Sequence, residues 1–274
     1  MPGIFLPADP FLKTIVRFVA FLEFPAADPG LHISLFPNCT TNLSITLKGG
    51  VVLGNRQAKG NFASTSCLSP MVLDRSQSIS MLNVQFEPFG LHALLGLPMD
   101  EFADKLPDLD ILFKASHLES LYNQVADAPN PAVAVRAVEE FLVKASRGVL
   151  PDTRITTGVR LLQGESRPAM DRLSHTLCLS NRGVRKLFNK TLGTSPKQYA
   201  NLARFNQAIR KIALQPRMPL TQIAYDLGYF DQSHFNREFK RYSGITPKAF
   251  NKLPAKSTEF YNFIPEGPIT FGMT

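Results

Sequence analysis

The sequence contains no tryptophan, only three cysteines and no long uninterrupted apolar run in its 274 residues. The cysteines, Cys39, Cys67 and Cys178, lie far apart without paired spacing, which argues against a zinc site or a disulfide framework. The apolar run Ile15–Leu22 contains Arg17, is too short to span a bilayer, and lacks the order of a signal peptide. We therefore expect a cytoplasmic protein that makes no use of a membrane.

Motifs that carry catalysis are also missing. The sequence has no phosphate-binding loop, dinucleotide fingerprint, zinc-protease motif or nucleophile elbow. His175 and Cys178 lie close together but lack a third and a fourth ligand at zinc-like spacing, and the other histidines are isolated. The prediction is a protein that is not an enzyme and has no metal and no cofactor.

The charge that is present is unevenly distributed. The net charge is +8, but residues 1–150 carry 11 Lys and Arg against 14 Asp and Glu, whereas residues 151–274 carry 19 against 8. Such asymmetry favours a nucleic acid or another acidic surface as the partner of the second half. Composition alone leaves a soluble basic domain as the alternative.

The first half predicts a β-rich region at 11–90 that is followed by helices at 91–146. Short runs of β-branched and aromatic residues, separated by Pro, Gly and Asn, are typical of strands. Lys48–Gly50 lies between two apolar runs and predicts a hairpin turn. The four predicted strand regions are Ile15–Phe24, Leu31–Phe36, Asn42–Leu47 and Ser78–Phe86.

Two apolar stripes at helical spacing predict an antiparallel helix pair on either side of Pro129–Pro131. We assign residues 1–148 to a sensing and assembly domain, 149–153 to a linker, 154–253 to a helical domain and 254–274 to a tail. The first stripe consists of Leu118, Leu121, Tyr122 and Val125, and the second of Val135, Val138, Leu142 and Ala145.

The second half contains an internal repeat of about fifty residues. Leu173 and Leu177 match Ile223 and Leu227 at an offset of 50, whereas positions from the capping residue onward match at an offset of 51. The extra residue falls in a turn, so it leaves both helix faces in phase. The matches at 51 are Ser180 with Asp231, Phe188 with Phe239, Gly193 with Gly244, Pro196 with Pro247, Lys197 with Lys248 and Tyr199 with Phe250.

Each repeat has the pattern of a helix-turn-helix unit. A short helix leads to a tight turn and a capping Ser180 or Asp231, and a second helix then carries a buried aromatic and exposed basic residues. Lys197–Leu214 predicts one continuous helix between the units, about 27 Å long at ~1.5 Å per residue. A helix of that length would place two recognition helices in successive major grooves, ~34 Å apart.

Residues 154–253 resemble the DNA-binding domain of the AraC/XylS family of bacterial transcription regulators. The resemblance rests on the run Ile223–Tyr229 and on the spaced positions after it, whereas the first unit departs from the pattern at Gly183, where the family has a bulky residue. Residues 91–104 also resemble the effector domain of one AraC-like subgroup. The resemblance implies an α+β chain: a β-rich, cupin-like barrel with a helix pair, then an all-α domain with two helix-turn-helix units. The spaced positions are Phe235, Arg237, Phe239, Lys240, Gly244, Thr246, Pro247 and Phe250.

The second helix of each unit supplies the candidate DNA contacts. The resemblance implies that Arg182, Lys186, Ser233 and Arg237 face bases. The spacing leaves open whether His234 touches DNA or only packs locally. The full set is Asn181, Arg182, Arg185, Lys186 and Lys190 in the first unit, and Gln232, Ser233, His234, Asn236, Arg237 and Lys240 in the second.

Further partners follow from the same reasoning. A small β-domain covers one side of a helix pair, so we expect the stripe at Leu118, Leu121, Tyr122 and Val125 to pair with a second chain, with burial of both stripes in their own domain as the alternative. The resemblance implies a small effector on the N-terminal domain and adds RNA polymerase as a partner, as for an activator. A regulator controlled by a docked protein instead of an effector is the second interpretation, and the sequence leaves the sign of regulation open.

Overall fold

The computed structural model describes most of the chain, including both predicted domains. Cys67 and the predicted tail at 254–274 lie outside the described residues. None of the helices within the described part is long and apolar enough to span a bilayer. The described residues are 3–26, 32–49, 51–53, 56–58, 61–65, 71–74, 77–148, 150–164 and 170–252.

Two antiparallel sheets form the β-rich part of the chain. The larger sheet has the strand order β1-β2-β9-β4-β7, and the smaller has β3-β8-β5-β6. The strands are β1 (Gly3–Phe5), β2 (Val16–Phe24), β3 (His32–Leu35), β4 (Thr41–Lys48), β5 (Val51–Leu53), β6 (Arg56–Ala58), β7 (Phe62–Ser64), β8 (Met71–Asp74) and β9 (Ile79–Phe86).

The four predicted strand regions correspond to β2, β3, β4 and β9. The hairpin predicted at Lys48–Gly50 is wrong, because β4 pairs with β9 and β7 whereas β5 belongs to the other sheet. Gly49 has a φ of +79° and turns the chain from one sheet into the other; Gly50 lies outside the described residues. The local sequence therefore predicted the turn correctly, but it did not predict which strands pair.

Helices of the first domain cover one face of the larger sheet. Asn130 caps α5 by accepting the backbone N–H of Val133, and Pro131 takes the first helical position, as the predicted helix break requires. The helices are α1 (Leu12–Ile15), α2 (Gly90–Leu95), a 3-10 helix (Met99–Phe102), α3 (Leu109–Leu112), α4 (Ala115–Ala126) and α5 (Pro131–Ala145).

The stripe predicted for dimer contacts is covered by its own domain. Leu118, Leu121 and Val125 are buried in one core with the sheet and α5, and Tyr122 packs half-buried against that core. The corresponding stripe of α5 is buried there as well. The prediction of a free stripe is wrong, because α4 and α5 pack against each other and against the sheet at the same time.

The remaining described residues form seven helices around a separate apolar core. This core also contains Phe36, Cys39 and Phe89 from the first domain. The helices are α6 (Thr153–Gly164), α7 (Met170–Thr176), α8 (Asn181–Leu192), α9 (Pro196–Leu214), α10 (Leu220–Asp226), α11 (Gln232–Ser243) and α12 (Pro247–Phe250).

Candidate nucleic-acid interface

The first helix-turn-helix unit consists of α7 and α8. The chain turns between them through Cys178, whose φ of +52° is in the left-handed region. Ser180 caps α8 by accepting the backbone N–H of Gly183 at 3.1 Å, which confirms the predicted cap. Val184 and Phe188 are buried on the inner side of α8. The opposite side of this helix is left free to face a ligand.

The second unit, α10 and α11, repeats this arrangement with one residue more. Gly228 supplies the left-handed turn, Asp231 caps α11 by accepting the backbone N–H of His234 at 2.6 Å, and Phe235 and Phe239 are buried. The extra residue of the turn is Phe230, which is 82% exposed. Because the insertion lies outside both helices, the two recognition helices keep matching faces.

The structure exposes most of the residues that the sequence predicted as DNA contacts. In the first unit all five candidates are exposed. In the second unit Asn236 and His234 are half-buried. The exposed residues are Asn181, Arg182, Arg185, Lys186 and Lys190 on α8, and Gln232, Ser233, Arg237 and Lys240 on α11.

One continuous helix joins the two units. Helix α9 has 19 residues, about 28 Å at ~1.5 Å per residue. It begins with a capping box, in which the hydroxyl of Ser195 accepts the backbone N–H of Gln198 and the side chain of Gln198 accepts the backbone N–H of Ser195. A well-capped, buried helix of this kind limits the relative motion of the two recognition helices.

A half-buried polar cluster behind α11 was not anticipated from the sequence. The Nε of Arg204 on α9 lies 3.9 Å from Oε1 of Glu238, and Nε2 of His234 lies 3.6 Å from Oε2 of the same carboxylate. Burial, and then the charge of Glu238, raise the pKa of Tyr229 in this cluster. These contacts orient the His234 ring towards Glu238 and hold α11 against the joining helix.

Arg204 also contacts the turn of the second unit. Its guanidinium lies 5.0 Å from the centre of the Tyr229 ring, a cation–π arrangement, and it donates to Oδ1 of Asn201 at 2.9 Å. The only sequence signal for this contact is the placement of Arg204 between buried positions of α9. The contact joins the turn of the second unit to the helix that spaces the units.

Residues 173–253, which include both recognition helices, match the family model described as a helix-turn-helix domain. The HTH-type transcriptional regulator ArgR of Pseudomonas aeruginosa is 27% identical over 97 residues, 35% of this chain and 29% of that protein. The arabinose operon regulatory protein of Escherichia coli K12 is 23% identical over 149 residues, 49% of this chain and 51% of that protein. This chain carries a helix-turn-helix domain of the AraC type.

The matches leave much of these relatives unaligned, since they span 29% and 51% of the relatives' own lengths. A solved structure of ToxT from Vibrio cholerae aligns with 85% of this chain and 97% of that chain, at 15% identity and a TM-score of 0.45.

The AraC-type domain is in contact with the first domain at its first unit, at the joining helix and at α12. At the first unit, Gly193 ends α8 beside the 3-10 helix, where an added Cβ would lie 2.7 Å from the carbonyl oxygen of Met99. At α12, the Phe36 ring lies 5.7 Å from the ring of Phe250, and at α9 Asn206 donates to the carbonyl of Pro37 at 2.8 Å. The first domain thus contacts the first unit, the joining helix and α12.

A buried thiol lies at the same boundary. Burial raises the pKa of Cys39 to about 12, although a hydrogen bond with Tyr199 of α9 opposes the shift. Tyr199 is buried too, and its hydroxyl accepts a hydrogen bond from Gln163 at 2.9 Å. Cys39 is therefore a packed, neutral thiol at this boundary.

Proposed function

We propose that this chain is a sequence-specific DNA-binding transcription regulator of the AraC/XylS type that acts in the bacterial cytoplasm. The observation that carries the proposal is the pair of recognition helices, which expose polar and basic side chains at matching positions of a duplicated unit. Arg182, Lys186, Ser233 and Arg237 would contact base edges, and the other exposed cations of α8 and α11 would contact phosphates.

Two recognition helices joined by a rigid helix favour two half-sites on one face of the duplex. Successive major grooves are ~34 Å apart, which corresponds to about 10–10.5 base pairs between half-site centres. Helix α9, at about 28 Å, has the length to join two such grooves. The DNA site of one chain would therefore extend over about two helical turns.

Selection of duplexes from a random pool with the full chain tests the proposal. We expect enriched sequences with two conserved blocks about one turn apart. Fluorescence anisotropy would then compare the selected duplex with one carrying five extra base pairs between the blocks. The insertion rotates one block by about half a turn, so binding should fall to the level of a scrambled duplex. A selection without enrichment would contradict the proposal.

Two variants of α11 separate base contacts from phosphate contacts. Arg237→Ala should weaken specific binding by ~1–3 kcal/mol and relax the preference at one or two base pairs. Lys240→Ala should weaken selected and scrambled duplexes alike and flatten the salt dependence. Lys114→Ala, which removes an exposed lysine of the first domain, is the matched control and should leave binding unchanged. Equal losses by Arg237→Ala on both duplexes would refute its role in base recognition.

Regulation would come from the first domain. We infer a small effector bound by the β-rich region, because that domain contacts the first unit, the joining helix and α12 of the AraC-type domain. The alternative is a protein partner that docks on the first domain, and RNA polymerase is a further partner of the DNA-bound regulator. A thermal-shift screen of the full chain against metabolites distinguishes the two mechanisms, because a bound effector stabilises the chain by mass action.

We further propose a homodimer, with the outward face of α5 as its contact. Val133 and Val143 are each 43% exposed on this face, and Arg136 and Glu140 lie between them along the same stripe. If two copies of α5 run antiparallel about a two-fold axis that crosses the outward face at the level of position 138, each Val133 faces the other Val143 and each Arg136 faces the other Glu140. The face is thus complementary to itself, as a two-fold interface requires.

Charge reversal tests this contact without touching the core. Arg136→Glu places like charges opposite each other and should raise the dimer dissociation constant, whereas adding Glu140→Arg restores the opposite pairing and the dimer. Analytical ultracentrifugation at micromolar concentration measures both variants, with Lys114→Ala as the control. A wild-type chain that remains monomeric under these conditions would exclude the dimer.

A further inference from the structure

The turn of the second unit carries an exposed aromatic side chain that is not among the candidate DNA contacts. Phe230 is 82% exposed, whereas every other phenylalanine in the part of the chain that the structure describes is buried or half-buried. It is the residue by which the second turn is longer than the first. The shorter turn carries Leu179, which packs half-buried against the helical core. The two units therefore present different apolar surfaces at their turns.

The backbone is anchored on both sides of Phe230. The N–H of Tyr229 donates to the carbonyl of Ala224 at 2.9 Å, and the side chain of Tyr229 is buried. On the other side, Asp231 caps α11 by accepting the backbone N–H of His234. The exposed ring is thus attached to a fixed point of the domain, so little backbone freedom would be lost when it contacts a partner.

This fixed point lies next to the surface that would read bases. Phe230 comes two residues before Gln232, the first residue of α11, so their Cα atoms lie within about 7 Å of each other. The N-terminal residues of a recognition helix contact base edges in the major groove. Gln232, Ser233 and Arg237 are exposed on this part of α11. The ring of Phe230 therefore extends that polar and basic surface with an apolar group.

The ring makes little contribution to the cores of the protein. Phe230 belongs to none of the three apolar clusters in the described part of the chain. Single exposed apolar residues are common on protein surfaces, so exposure alone assigns no role to this side chain. Its position beside the N-terminus of α11 is what points to DNA. Tyr225 on α10 is 81% exposed and offers a matched aromatic side chain on the other helix of the unit.

We propose that Phe230 is a specificity-determining residue that contacts the 5-methyl group of a thymine in the DNA block read by α11. Thymine is the base that presents a methyl group in the major groove, and phenylalanine is a side chain that contacts it. Apolar side chains that wedge between base pairs enter from the minor groove, which is the wrong side for α11. This inference rests on the proposed function, because it requires α11 to lie in a major groove.

Replacement of single thymines by deoxyuridine tests the contact, because it removes the methyl group and leaves base pairing unchanged. Fluorescence anisotropy with the full chain would measure each replacement in the selected duplex. We expect one replacement, in the block whose preference Arg237→Ala relaxes, to raise the Kd about three- to fivefold, as for one buried methyl group. A block without thymine, or a block in which no replacement weakens binding, would overturn the assignment.

Two variants show whether Phe230 is the residue that reads the methyl group. Phe230→Ala should bind the thymine duplex about three- to fivefold more weakly than the wild-type chain, with no further loss on the deoxyuridine duplex. Tyr225→Ala removes an equally exposed aromatic ring and should keep the full difference between the two duplexes. A difference that persists in Phe230→Ala, or disappears in Tyr225→Ala, would contradict the proposal.

The melting temperature of the free chain separates recognition from support of the fold. Phe230→Ala should melt at the same temperature as the wild-type chain, because the ring lies outside the apolar cores. If this variant melts lower and loses the same affinity for both duplexes, the ring supports the turn and the proposal is wrong.

The selection from a random pool distinguishes this inference from the proposed function. Two enriched blocks with no effect of any deoxyuridine refute the role of Phe230 alone. A selection without enrichment refutes the proposed function, and the role of Phe230 in DNA recognition with it.

Discussion

The first helix-turn-helix unit turns through Cys178, with a φ of +52°, where the second turns through Gly228, with a φ of +69°. The recognition helix of the first unit carries Gly183 near its start, whereas that of the second is backed by the cluster of Arg204, His234 and Glu238. The same helix-turn-helix pattern therefore forms with different turn residues and different contacts behind its recognition helix. In the second unit, a charged side chain of the joining helix, Arg204, additionally contacts the recognition helix.

The largest expected difference concerns the buried aromatic of each recognition helix. The Phe239 ring has three aromatic neighbours among the described residues, with ring centres at 5.2, 5.7 and 5.6 Å. The Phe188 ring has one among the same residues, Tyr199, with ring centres 6.2 Å apart. Replacement of either by alanine should cost ~3–5 kcal/mol, and each lost aromatic pair adds about 0.5–1.5 kcal/mol.

We therefore expect Phe239→Ala to destabilise the second unit by about 1–3 kcal/mol more than Phe188→Ala destabilises the first, because two more aromatic pairs are lost. Amide exchange of α8 and α11 measures the opening free energy of each helix separately. Equal losses in the two helices would show that the additional rings do not stabilise the second unit.

The glycines that end the two recognition helices provide the next comparison. Gly193 and Gly244 both have a positive φ, so alanine at either position should cost ~1–2 kcal/mol. At Gly193 the new Cβ would also approach the carbonyl of Met99 to 2.7 Å. Gly193→Ala should therefore lower the melting temperature more than Gly244→Ala. Similar melting temperatures for both variants would show that the segment at Met99 moves aside without a loss of stability.

Substitutions in the two turns should change the stability of the two units in opposite directions. Cys178→Gly removes the strain of a non-glycine residue in the left-handed conformation and should stabilise the first unit by ~1 kcal/mol. Gly228→Ala introduces the same strain and should destabilise the second unit by ~1 kcal/mol. Urea unfolding of the two variants measures both effects. A loss of stability in Cys178→Gly would mean that the side chain of Cys178 contributes more than its backbone strain costs.

The smallest expected effect is at Gly183. An added Cβ would meet nothing closer than the Ser180 hydroxyl at 3.4 Å, and the helix continues through this position. Gly183→Ala should stabilise α8 by about 0.5 kcal/mol, less than in a helix centre because the position is in the first turn. Amide exchange across α8, compared with α11 as the internal reference, would detect it. Unchanged amide exchange in α8 would show that Gly183 does not weaken this helix.

Several features could be predicted because their causes are local. Ser180 and Asp231 were identified as helix caps from the repeat alone, and both accept the expected backbone N–H. Features that depend on distant partners could not be predicted. The contact between Arg204 and Glu238 joins residues 34 positions apart in the sequence. The contact between Phe36 and Phe250 joins the first domain to α12.

The sequence by itself determined the periodicities, the duplicated unit and the exposed basic faces of α8 and α11, because hydrogen bonding and side-chain direction within a helix depend on near neighbours. Only the tertiary structure decided what covers each apolar stripe. It buried Leu121 in its own domain, separated β4 from β5, and placed Asn42 beside Ser64 and Gln85. The physical reason is that strand pairing and packing select among many distant partners, which no local pattern specifies.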